Sequence, residues 1–148
     1  MYLVMFAIAL LVVCEAQRDQ SVAVKGQFLC GSAPAANVRV KLINRSISHD
    51  LLGRGNTDAS GNFMLSGGTA KLTQIDPVLK VSHDCNNVRQ LRAPLAPGIR
   101  RETFVIPKKY ITKGKIPKKI MDIGTINLEL RFQNERRKLK VNRIVATA

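Results

Sequence analysis

The sequence is poor in the residues that build reaction centres. Ten acidic side chains and two histidines stand among 148 residues, and the stretch around Asp58 offers no cluster of the six to eight oxygens a calcium ion takes. The three cysteines show no C-x-x-C spacing and the histidines no H-x-x-x-H spacing, which disfavours zinc. Aromatic residues are scarce as well, with no Trp, two Tyr and five Phe. Only Tyr110 lies near the most basic stretch as a platform for stacked bases, so nucleic acid is not the expected partner. No apolar run reaches the roughly 20 residues of a membrane span. There is no internal repeat and no convincing helical period.

What is present begins with a leader. Tyr2 to Cys14 is apolar throughout and is followed by Glu15-Ala16 and the polar Gln17-Arg18-Asp19-Gln20. This predicts a secretory signal peptide over 1–16, cleaved after Ala16, with the α-amino group as the only positive charge ahead of the run. The remaining chain has the length of a single domain with one core and is expected outside the cell. Cys14 leaves with the leader. Cys30 and Cys85 then remain where disulfides persist, and they are predicted to pair. Asn44-Arg45-Ser46 is an N-glycosylation sequon, which in an exported chain marks Asn44 as an exposed acceptor.

The chain is organised around Thr57-Asp58-Ala59-Ser60-Gly61-Asn62-Phe63. Asp58 can accept backbone N–H bonds from the residues after it, and Gly61 can take the positive φ that closes the turn. Phe63 and Leu65 then face one way and Asn62, Met64 and Ser66 the other, as in a half-buried strand that Gly67-Gly68 would stop. The same alternation runs through Val22 to Cys30, with room for a bulge at Gly26. It recurs in Val38 to Ile43, Val78 to His83 and Thr103 to Ile106. A further strand places Gly124, Ile126, Leu128 and Leu130 on one face. Leu51-Leu52 fits an edge strand, and 86–98 reads as loop. Short strands separated by Gly and Pro turns describe an antiparallel β-sandwich.

Six ordered blocks carry a resemblance: Val24-Lys25-Gly26-Gln27-Phe28-Leu29-Cys30, Val38-Arg39-Val40-Lys41-Leu42, the Thr57 to Phe63 turn, His83-Asp84-Cys85, Ile106-Pro107-Lys108-Lys109-Tyr110-Ile111 and Asp122-Ile123-Gly124-Thr125-Ile126-Asn127-Leu128. Together they resemble the transthyretin-like family of nematode secreted proteins over about Val22 to Leu130. The resemblance implies an all-β, prealbumin-like antiparallel sandwich of seven or eight strands over 17–130, followed by a basic tail over 131–148. Many members carry a further cysteine in the stretch that here reads Asn86 to Arg101. This chain has none, which rules out a second intrachain bridge. Some members are understood as extracellular bridging or signalling molecules, including ones that recognise exposed phosphatidylserine. Relatives of transthyretin also include a hydroxyisourate hydrolase, whose site uses histidines, an arginine and a C-terminal Tyr-Arg-Gly-Ser. This chain ends Val145-Ala146-Thr147-Ala148, and both its histidines fall outside that motif. His83-Asp84 and His49-Asp50 have no nucleophile placed to use them. No enzyme, metal or cofactor is therefore expected.

Charge supplies the functional candidates. The net charge of +14 becomes +15 once Glu15 is removed. Between 100 and 119 stand Arg100, Arg101, Lys108, Lys109, Lys113, Lys115, Lys118 and Lys119 against Glu102 alone. The tail adds Arg131, Arg136, Arg137, Lys138, Lys140 and Arg143. Beside an anionic bilayer or sulfated glycan each cation contributes on the order of 1 kcal/mol. Lys108, Lys109, Lys113, Lys115, Lys118, Lys119, Arg136, Arg137 and Lys138 are thus candidates to bind a phospholipid headgroup, a glycan or an acidic extracellular protein. A solvated loop that keeps the protein soluble is the competing reading, and a carrier for a small apolar ligand is the alternative function. For the tail, an extra edge strand, a disordered arm and a segment cut at the dibasic site all stay open.

Overall fold

In the computed structural model, residues 18–85 and 98–139, together with Tyr2, are described. The leader, the loop 86–97 and the end of the tail lie outside the described residues. Ten strand segments occur in order: β1 (Arg18–Cys30), β2 (Ala33–Pro34), β3 (Arg39–Asn44), β4 (Leu51–Asn56), β5 (Asn62–Lys71), β6 (Pro77–His83), β7 (Gly98–Val105), β8 (Thr112–Lys113), β9 (Ile120–Asn127) and β10 (Arg136–Leu139). Two of them are only two residues long.

They form two sheets. The first is built on β1, with β5 and β2 along one flank and β8 and β9 along the other. The second runs β10-β7-β6-β3-β4. Being paired on both edges, β1 is buried from Gln20 through Val24. Inward-facing Val22, Val24, Phe28, Phe63 and Leu65 meet Val40, Leu42, Leu79 and Val81 of the second sheet in one core. Phe28 stacks on Phe63 at 5.0 Å between ring centroids and on Phe104 at 6.5 Å. The Cys30–Cys85 disulfide joins the end of β1 to the second residue past β6, with 5.7 Å between Cα atoms. It therefore ties one sheet to the other.

Four expectations are corrected. Gly67-Gly68 does not stop β5, which continues to Lys71. A Cβ on Gly67 would lie 1.9 Å from the Leu52 carbonyl oxygen, so the glycine lets the edges of the two sheets approach. β7 begins five residues ahead of Thr103, at Gly98. β9 starts at Ile120 and ends at Asn127, Gly124 takes φ +70° within it, and the chain turns after Asn127 so that Leu128 is buried and Leu130 is exposed. Finally, the sandwich is antiparallel except for one pair, since β9 runs parallel to β1. The chain returns along the same flank of β1 after β8, so the loop between them reverses its direction. The register slips between Lys25 and Gln27, where the bulge at Gly26 was expected.

Candidate anion-binding site

The basic stretch of the sequence, 108–119, spans the approach to β8, β8 itself and that reversing loop. Pro107 leads into a single 3-10 turn over Lys108–Tyr110, and β8 then anchors on β1. The base of the loop is closed by buried Thr112, whose Oγ1 accepts from the Lys118 N–H at 3.0 Å, and by the Gly114 N–H, which donates to the Asp19 carbonyl at 2.8 Å. Side chains beyond these ties project into water. Lys108, Lys109, Lys113, Lys115, Lys118 and Lys119 are all exposed, and none forms an ion pair among the described residues. Lys119 Nζ donates to the Lys109 carbonyl at 3.2 Å, and Lys109 Nζ lies 5.2 Å from the Tyr110 ring. The sequence reading missed Ile116, which is 79% exposed among these lysines, and Ile120, 44% exposed. Their signal was present in the order Lys-Ile-Pro-Lys-Lys-Ile, in which apolar residues interrupt the cations.

The tail candidates lie elsewhere. Arg136, Arg137 and Lys138 belong to β10, paired antiparallel with β7. Of the three readings left open, residues Arg136–Leu139 follow the extra edge strand.

Arg100 is not surface charge. It is 2% exposed and its guanidinium grips Glu135 at 2.7 Å through both Nε and Nη2. It also donates to the carbonyls of Cys85 at 3.1 Å, Leu128 at 2.7 Å and Leu130 at 2.8 Å. Hydrogen bonding to Glu135 holds the guanidinium pKa above its ordinary value against the desolvation that opposes it, with further support from the charges of Glu135 and Glu102. Glu102, 1% exposed, accepts from His83 Nε2 at 2.9 Å. His83 Nδ1 accepts from the Cys85 N–H at 3.1 Å, so the ring is the neutral Nε2–H tautomer. Extending the alternation of Phe104 and Ile106 backwards would have turned Glu102 and Arg100 inward. His49, the second of the two histidines, is exposed in a turn at φ +48°.

Asn44 is corrected too. It is fully buried, not exposed. Its Nδ2 donates to Ser46 Oγ at 2.6 Å and Asp50 Oδ2 at 3.3 Å, and its Oδ1 accepts from the Asp76 N–H at 2.9 Å. The amide that would carry a glycan is occupied in holding the β3–β4 connection. Asp50 is also bonded to Lys71 and Ser48, which lower its carboxyl pKa. At the organising turn, Asp58 Oδ1 accepts from the N–H groups of Ser60 and Asn62, each at 2.9 Å, and Gly61 has φ +78°.

No group of three or more His, Cys, Asp or Glu among the described residues could hold a metal ion. A groove of about 620 Å³ runs past Lys25, Gln27, Asn62, Met64, Asp122 and Thr125. It is an open polar trough, unlike the enclosed apolar cavity a carrier of small apolar ligands uses.

Fold and site together define a disulfide-linked, two-sheet β-sandwich that displays positive charge unpaired among the described residues. The chain belongs to the transthyretin-like family, whose sequence pattern matches residues 25–107. It is 53% identical to Transthyretin-like protein 46 of Caenorhabditis elegans over 139 residues, covering 92% of this chain and 75% of that one. Transthyretin-like protein 33 of the same organism is 42% identical over 126 residues, 83% and 84% of the two chains. Transthyretin-like protein 5 is 40% identical over 121 residues, 80% and 83%. Among solved structures, a 9R-lipoxygenase from Cyanothece gives a TM-score of 0.38 at 22% identity over 73% of this chain and 16% of that one, too slight a likeness to carry an argument.

Proposed function

We propose that this chain is a secreted binding protein that docks on an anionic phospholipid surface through the loop 108–119, in a bridging or signalling role. The observation that carries the reading is Ile116, exposed at a loop whose base is fixed and whose lysines form no ion pair among the described residues. A solvated solubility loop gains nothing from an exposed isoleucine. At a bilayer, lysines sit at the headgroups while the apolar tip enters the acyl boundary. Six lysines at about 1 kcal/mol each, plus roughly 2 kcal/mol for burying an isoleucine, suffice for reversible attachment.

Co-sedimentation with phosphatidylserine-containing vesicles tests this. Lys108→Glu, Lys109→Glu, Lys118→Glu and Lys119→Glu together should weaken retention at least tenfold. Ile116→Ser alone should weaken vesicle retention severalfold and leave heparin retention unchanged. Undiminished retention of the fourfold variant would reject the loop.

A further inference from the structure

The outer face of the second sheet carries a second concentration of charge that appears only once the strands are in register. Lys41 stands directly opposite Arg54 of β4 on one side and Lys80 of β6 on the other. Two residues along, Arg39 is opposite Ser82, Ser82 opposite Arg101, and Arg101 opposite Arg136. Two rows result, Arg54-Lys41-Lys80-Thr103 and Asn56-Arg39-Ser82-Arg101-Arg136. They hold six cations, no carboxylate and no large apolar side chain. Arg39, Lys41, Arg54, Arg101 and Arg136 are exposed and Lys80 is half-buried. None of the six forms an ion pair among the described residues.

Like charges placed directly across a sheet destabilise it, so the face stores repulsion that a bound anion would relieve. We infer that it binds a linear sulfated polysaccharide. With strands about 4.8 Å apart, the longer row crosses roughly 19 Å, and the second row lies about 7 Å from it. This is a narrow track suited to a chain ligand. A protein partner would want buried apolar anchors, which the rows lack. A bilayer would meet a twisted surface whose exposed apolar residues, Leu51 and Val105, stand at opposite ends of the neighbouring row and not at a projecting tip. Four of the six cations are arginines, whose planar fork matches the paired oxygens of a sulfate.

The test uses the full chain and a heparin octasaccharide, with affinity measured by calorimetry at physiological salt. Arg39→Glu, Lys80→Glu and Arg101→Glu together should weaken binding more than tenfold, while the fourfold loop variant stays within twofold of the unaltered chain. The octasaccharide should raise the Tm of the unaltered chain. Lys80→Glu alone, which places a carboxylate opposite Lys41, should raise the Tm of the free protein while weakening octasaccharide binding. A purely structural lysine would not show that pairing of effects. The inference is overturned if the unaltered chain does not bind the octasaccharide, if desulfated heparin binds as well, or if the loop variant loses binding while the face variant keeps it. It is overturned equally if the face variant loses retention on anionic vesicles or acidic peptide and not on heparin. Because vesicle binding by the loop is read with separate variants and a separate ligand, either site can fail without the other.

Discussion

Arg100 shows how far a single residue can depart from what its neighbourhood in sequence suggests. It lies in the most basic stretch of the chain, yet it satisfies three carbonyls and one carboxylate inside the protein. Two of those carbonyls, on Leu128 and Leu130, and the Glu135 carboxylate belong to the chain leading into β10. The guanidinium therefore fastens the last strand to the core, helped by Phe132 edge-on to Phe104 at 5.5 Å. Lysine keeps the charge but brings one point donor in place of a rigid fork of five. Arg100→Lys should leave buried acceptors and Glu102 poorly compensated and cost about 3 kcal/mol, read as a lower urea midpoint at unchanged slope. A loss under 1 kcal/mol would show that this fork does not hold the strand.

At the scale of elements, the sandwich was legible wherever one face of a strand is buried. The alternation of Phe63 and Leu65, or of Leu79, Val81 and His83, states directly which side chains turn inward. What was not legible follows from contacts between segments distant in sequence. Gly67-Gly68 looks like punctuation because glycine usually is, but β5 stays paired with β1 through both residues, and their bare backbones admit the Leu52 and Gln20 carbonyls. Arg39, Lys41 and Lys80 could each be placed outward from periodicity, but register, which no local pattern gives, aligns them into rows. The loop lysines were legible as charge, whereas Ile116 needed the fold to show that it is not core. Gly67→Ala should force the sheet edges apart and cost about 1–3 kcal/mol by overpacking. Gly124→Ala has nothing within 4 Å to meet and should cost only the left-handed backbone, about 1–2 kcal/mol. Chemical denaturation of the two variants side by side checks this, and the Gly67 explanation fails if Gly67→Ala is as stable as the parent.

For the molecule as a whole, stability and display are kept apart. The cations proposed to bind stand on a loop and on the outside of one sheet, while the two sheets are held together by the apolar core and the Cys30–Cys85 bridge. Because the bridged residues are 55 apart in sequence, the cross-link removes much of the freedom of the unfolded chain, about 4 kcal/mol in the chain-entropy account. A double Cys30→Ala, Cys85→Ala variant should therefore unfold at markedly lower temperature and denaturant concentration. The register of β3, β4, β6, β7 and β10 does not pass through the bridge. Below its unfolding transition the variant should accordingly bind the heparin octasaccharide within about twofold of the parent, since a twofold change is only about 0.4 kcal/mol. If affinity falls in step with stability while circular dichroism still reports the folded sandwich, the cationic rows depend on the sheets being clamped together, and the separation of scaffold from surface does not hold.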